Sequence, residues 1–162
     1  MDLFDRFAGA GSFQTKRILD QPIHTGLKLL PWDKPERNLR ELLENLVFTK
    51  EAWAAAMSGS AMPQPPTEPC PAPQLLTRFQ KADAQFHAIL NDVRNRSAWD
   101  DTFVDALCEP PETFSFGGVF THVITFNTYR RLTALDALRR LGVDIEGFGC
   151  PIEFEAATVT AP

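Results

Sequence analysis

Three histidines, three cysteines and one oddly placed arginine are the residues of this chain whose chemistry reaches beyond packing. His24, His87 and His122 are far apart in the sequence. A histidine can move a proton near neutral pH, but general acid or base catalysis also needs a located nucleophile or second acid. The ordinary reading of His122 is a helix-start histidine with a backbone partner; the alternative is a catalytic base. Cys70, Cys108 and Cys150 are odd in number and form no C-x-x-C pair. They indicate neither a disulfide framework nor a cysteine-based zinc site and read as reduced bystanders. The FGG run at residues 116–118 lacks the strand and lysine that a phosphate loop requires. No Ser/His/Asp order and no paired-carboxylate motif stands out. Arg130 is the exception. On a helical wheel it falls near Val119, Val123 and Ala137, inside an apolar stripe, where a charge is costly unless paired or reaching water. It reads either as a buried-stem arginine paired with Glu41, Glu44, Glu153 or Glu155, or as a clamp for a carboxylate or phosphate.

Positioning these residues falls to four amphipathic segments. The longest covers residues 113–142, with Val119, Val123, Phe126, Ala134, Ala137, Leu138 and Leu141 recurring at steps of three and four. Arg139, Arg140 and then Gly142 supply its stop signal. A second helix opens at Asn38, with Glu41 as its capping-box partner and Leu39, Leu42, Leu43, Leu46, Val47, Trp53 and Met57 as its stripe. A third spans residues 74–94 on Leu75, Leu76, Phe79, Ala82, Phe86, Ile89, Leu90 and Val93, with His87 beside the stripe. A first helix over residues 2–19 rests on Leu3, Phe4, Phe7, Ala8, Ile18 and Leu19, weakened by Gly9 and Gly11. His24 and Trp32 lie in the proline-punctuated connection that follows. Residues 58–73, SGSAMPQPPTEPCPAP, hold six prolines and fit neither helix nor central strand. They read as a long external loop, mobile or functional. Residues 99–111 read as an irregular link with a short extended piece near 102–104. The PIEFEAA segment, residues 151–157, reads as one helical turn or a covering strand.

With no convincing strand pattern, the chain is expected to be all-α: one domain over residues 1–162, an antiparallel or crossover four-helix bundle with a Pro-rich loop. Its 44% hydrophobic and 23% charged composition is that of a globular chain. A net charge of −5 and a pI near 5.2 give no electrostatic ground for nucleic acid or an anionic membrane as partner. Charged residues interrupt the first twenty positions, so neither a signal peptide nor a membrane span is expected there, and the location reads as cytoplasmic.

The second and fourth segments together resemble the DinB family of helical bundles, which includes YfiT-like metal-dependent hydrolases and thiol transferases. NLRELLENLVFTKEAW, residues 38–53, is similar to that family's S-x-R-E-L-L-x-H-L segment. HVITFNTYRRLTALDALRRLGV, residues 122–143, is similar to its H-V-x-x-H-x-T-x-H-R-G-Q segment with a terminal L-R-x-L-G-V. The resemblance implies a DinB-like four-helix bundle, often homodimeric, with one histidine on the second helix and two histidines four apart on the fourth holding nickel or zinc. In this chain Asn45, Phe126 and Arg130 stand at those three positions, and Arg131, Leu132 and Thr133 follow where R-G-Q is expected. Asparagine is a poor transition-metal ligand, phenylalanine has no donor, and a guanidinium repels a dication.

The expectation is therefore no metal and no cofactor at the family position. In its place stands a small pocket ringed by Asn45, His122 and Arg130 and floored by Phe126, suited to a small anionic ligand. The corresponding function is a binding or interaction protein. The alternative is a metal-dependent hydrolase or thiol transferase of the DinB/YfiT kind with its site, and its nickel or zinc, moved to His24, His87 or His122.

Overall fold

The computed structural model describes residues 15–19, 38–105, 109–147 and 149–159. Three long helices dominate: α1, Leu39–Ser58; α2, Ala72–Arg96; and α3, Phe116–Arg140. A two-stranded antiparallel hairpin, β1 (Thr102–Asp105) and β2 (Glu112–Ser115), precedes α3, and a short α4, Pro151–Val159, ends the described chain. The architecture is predominantly helical, as the amphipathic periodicity requires. Of the expected first helix, residues 15–19 are helical and bury Ile18 and Leu19; the remainder, with His24, Trp32 and Cys108, lies outside the described residues.

The helix ends follow local chemistry. Asn38 caps α1 through the reciprocal box with Glu41: its Oδ1 accepts from the Glu41 N–H at 3.0 Å, and Glu41 Oε2 accepts from the Asn38 N–H at 3.2 Å. At the end of α3, Gly142 has φ +76, its N–H donates to Arg139 O, and the Val143 N–H donates to Leu138 O. That double closure is a Schellman motif, and it needs a residue at ease in the left-handed region.

Side-chain pairings set the helix directions. Glu44 meets Cys70, Glu51 meets Arg78, and Lys50 meets Asp83, so α1 and α2 run parallel. Trp53 meets His122 and Thr49 meets Arg130, so α3 runs antiparallel to α1. Parallel neighbours need a long return, which the Pro-rich segment supplies as a crossover. It docks where it arrives: Glu44 Oε1 accepts from the Cys70 N–H and Arg40 Nη1 donates to Cys70 O, each at 2.6 Å.

The apolar stripes close into two clusters at opposite ends of the bundle. One gathers Leu39, Leu43, Leu46, Leu75, Phe79, Ala134 and Leu138 with Ile18, Leu19 and Ile145. The other gathers Met57, Phe86, Leu90, Val93, Val119, Phe120 and Val123. Each fully buried side chain of this size contributes about 1.5–3 kcal/mol by leaving water. Between the clusters, all three helices place polar residues inward: Lys50 on α1, Asp83 on α2, and Asn127 with Arg131 on α3.

Three expectations are corrected. The α3 helix starts at Phe116 rather than residue 113, because Ser115 caps it, its Oγ accepting from the Gly118 N–H at 3.1 Å. Residues 113–115 belong instead to β2 of the hairpin; the extended piece expected near 102–104 is its β1, and the pairing of the two strands is what the irregular reading of 99–111 missed. Phe103 and Phe114 pair directly across it, and Gly117 lets the turn into α3 pass within 2.8 Å of Trp99 O. A Cβ there would sit 3.1 Å from that oxygen. Finally, the buried stripe of α3 runs through Asn127 and Arg131, not through Phe126, which is 45% exposed. A step of three from Val123 leads to Phe126 and a step of four from there to Arg130, whereas two steps of four from Val123 lead to Asn127 and Arg131. The second path is the one that faces the core.

Candidate functional site

On α1, Asn45, Thr49 and Trp53 recur every four residues; on α3, His122, Phe126 and Arg130 do the same. Residues four apart share a helix face, so each trio forms a column, and the antiparallel helices set the columns side by side. Trp53 meets His122 edge-on, ring centroids 5.7 Å apart at 70°. His122 stacks on Phe126 at 5.0 Å and 29°. The Arg130 guanidinium carbon lies 4.8 Å from the Phe126 centroid, and its Nη1 donates to Thr49 Oγ1 at 3.1 Å. The Thr49 hydroxyl donates in turn to the Asn45 carbonyl oxygen at 2.7 Å.

The four residues singled out in the sequence therefore lie along one seam between α1 and α3. They form a ladder of rings ending in a guanidinium, with Phe126 sandwiched between His122 and Arg130. His122 and Phe126 are exposed and Arg130 is half-buried, so the seam faces solvent. Asn45 joins it through its backbone. The Asn45 side-chain Oδ1 is buried without a hydrogen-bond partner among the described residues. Asn45 also lines an open groove of about 340 Å³ with Glu41, Glu44, Phe48, Pro65 and Pro66, which brings the crossover loop against α1. Two carboxylates beside Asn45 make that flank of the seam unfavourable to an anion.

No protein-family model, curated protein or solved structure matches this chain. The site must be read from its own atoms. At the three positions where the DinB resemblance implies histidine ligands, the side chains do not fit a metal: the Phe126 ring and the Arg130 guanidinium occupy each other's open face. Among the described residues, no group of three or more His, Cys, Asp or Glu could hold an ion. His87 is remote from the seam. Its Nδ1 lies 2.9 Å from the Asp83 backbone oxygen and 3.6 Å from Asp83 Oδ2. His24 lies outside the described residues.

Sequence reading missed the other polar constellation, the mid-bundle layer. Lys50 is 5% exposed, pairs with Asp83, and holds its ammonium 5.3 and 5.1 Å from the Phe79 and Phe86 centroids. Burial lowers its pKa from the ordinary 10.5, the Asp83 carboxylate counters that, and the Arg131 cation adds to it. Arg131 is 3% exposed, and burial pushes it down to about 10, still cationic near neutrality. The signal was present: Lys50 falls on the same helical steps as Leu46, Val47 and Ala54, and Arg131 on those of Asn127 and Leu135.

Proposed function

We propose that this chain is a metal-free, DinB-like helical bundle that binds a small organic anion along the α1–α3 seam. The observation that carries the reading is Arg130, its guanidinium carbon 4.8 Å from the Phe126 centroid and its Nη1 donating to Thr49, at the end of a solvent-facing ring ladder. A guanidinium offers donors in a rigid fork that matches a carboxylate or phosphate. Anchoring the guanidinium before binding reduces the ordering cost that a free arginine would incur. His122 and Trp53 supply ring surface for the apolar body of an amphipathic ligand, with the exposed edge of Phe126 beside them. The arrangement favours binding over catalysis, because His122 stacks on Phe126, meets Trp53 edge-on, and has neither a nucleophile nor a carboxylate at hydrogen-bond distance among the described residues.

The test is a thermal-shift screen with aromatic and aliphatic carboxylates and phosphate esters, on the wild-type chain and on Arg130→Gln. Ligands that stabilise the wild type are expected to bind Arg130→Gln about 30-fold more weakly. That corresponds to about 2 kcal/mol for a charge-assisted hydrogen-bond pair. Equal stabilisation of both proteins contradicts the reading, as does stabilisation by organic cations alone.

A further inference from the structure

The parallel setting of α1 and α2 leaves a second hollow, of about 200 Å³, on the side of the bundle where the crossover begins. Its floor is made of small residues: Ala54 and Ala55 of α1 and Ala82 of α2 are buried side chains that stop at Cβ and leave the space between the helices unfilled. The helical repeat puts Glu51, Ala55 and Ser58 on the opposite side of α1 from Asn45, Thr49 and Trp53, so the hollow is separate from the α1–α3 seam.

Its polar lining divides into engaged groups and open ones. Glu51 is engaged: Arg78 Nε donates to its Oε1 at 3.0 Å and Arg78 Nη2 to its Oε2 at 2.6 Å, a fork that also neutralises the carboxylate. Ser58 commits its one hydroxyl proton to Ala54 O at 2.8 Å, with Ala55 O at 3.2 Å. In the 2.9 Å contact between the Ser58 and Ser60 hydroxyls the proton therefore comes from Ser60. That leaves the Ser60 oxygen as an open acceptor. Across the hollow, one turn apart on α2, stand Lys81 and Gln85. The Lys81 ammonium has no carboxylate partner among the described residues, and the Gln85 amide offers both a donor and an acceptor.

We infer that this hollow is a binding site for a short hydroxycarboxylate, with Lys81 taking the carboxylate and Ser60 accepting from a hydroxyl. A positive charge without a carboxylate beside it selects a negative group, and an open acceptor selects a donor that a plain carboxylate lacks. The alanine floor receives the C–H surface of the ligand. The hollow has the volume of about seven liquid waters, which suits a three-carbon acid such as glycerate and falls below the roughly 300 Å³ at which sites for drug-sized ligands begin.

The experiment is a titration of the full chain with sodium glycerate at constant ionic strength, followed by amide proton and nitrogen shifts, for wild type, Lys81→Gln, Ser60→Ala and Arg130→Gln. Propionate, which lacks the hydroxyls, and glycerol, which lacks the charge, are the comparison probes. Lys81 and Ser60 are exposed, so neither substitution disturbs the core. Wild type and Arg130→Gln are expected to show the same saturable shifts at residues 54–61 and 81–85. Binding is expected to be about tenfold weaker in Lys81→Gln, through loss of a charge-assisted hydrogen bond, and about fivefold weaker in Ser60→Ala, through loss of a neutral one. Propionate is expected to bind about fivefold more weakly than glycerate, and glycerol not to saturate. No saturable shift at those amides in wild type, or unchanged affinity in either Lys81→Gln or Ser60→Ala, overturns the site. Propionate or glycerol binding as tightly as glycerate overturns the ligand class. A response lost in Arg130→Gln places the anion in the seam and overturns a separate site.

Discussion

Asp83→Ala is expected to destabilise the chain by about 3 kcal/mol, the low end of the range for removing one partner of a buried pair, because Asp83 is a fifth exposed. The loss comes less from the broken contact than from what remains. Lys50, beside Phe79 and Phe86, would lose the Asp83 carboxylate while still feeling the Arg131 cation. Adding Lys50→Met to Asp83→Ala removes the stranded charge while filling similar volume, and most of the loss should return. Urea unfolding of the three proteins checks both statements, and a single-variant loss below about 1 kcal/mol contradicts the buried layer.

The same layer has a pH signature. Lys50 titrates lower in the folded chain than in the unfolded one, where 10.5 applies. Between the two values the unfolded chain holds more protons, so raising the pH favours folding across that window. The Asp83 carboxylate keeps the window narrow by holding Lys50 protonated. Asp83→Ala should widen it toward lower pH, so the variant should recover more stability than wild type as alkaline pH is approached from neutrality. An identical pH profile in the two proteins contradicts the assignment.

Phe120→Ala should cost about 3–5 kcal/mol, whereas Phe126→Ala should cost less than about 1 kcal/mol. Phe120 is fully buried and packs edge-on against Phe86 at 4.9 Å and Trp99 at 6.1 Å. Phe126 is 45% exposed and touches His122 and Arg130 on the surface. Denaturant midpoints of the two variants separate the observed stripe of α3 from the alternative in which Phe126 points inward. Comparable losses at the two positions contradict the structure.

That contrast marks where the sequence was readable and where it was not. The α1 helix was legible because its local signals agreed: the Asn38–Glu41 box and the leucine stripe. The α2 helix was legible from its apolar stripe, but Ala72 and Pro73, read as loop, form its first turn, where a proline's missing N–H costs nothing. The face of α3 was not, because steps of three and four both carry an apolar residue only part of the way. An aromatic at position 126 outweighed an asparagine and an arginine at 127 and 131, and tertiary packing decided otherwise. The extended piece near 102–104 was legible, but Glu112–Ser115 is too short to show alternation, and its pairing with Thr102–Asp105 depends on contacts that no local pattern carries. The seam itself was anticipated as a set of residues, Asn45, His122, Phe126 and Arg130, but its arrangement as a ladder held by Thr49 and Trp53 depends on the antiparallel setting of α1 and α3.

The claim that this seam is a metal-free binding site is tested most directly by elemental analysis of protein purified without a histidine tag. Inductively coupled plasma mass spectrometry would be run as isolated, after incubation with nickel and zinc, and on His122→Ala. The account predicts no metal above background in any sample, because a ring and a guanidinium fill the positions where the DinB resemblance implies ligands. One equivalent of metal in the wild type that disappears in His122→Ala would contradict it, and would turn the seam from a binding site into a relocated metal centre.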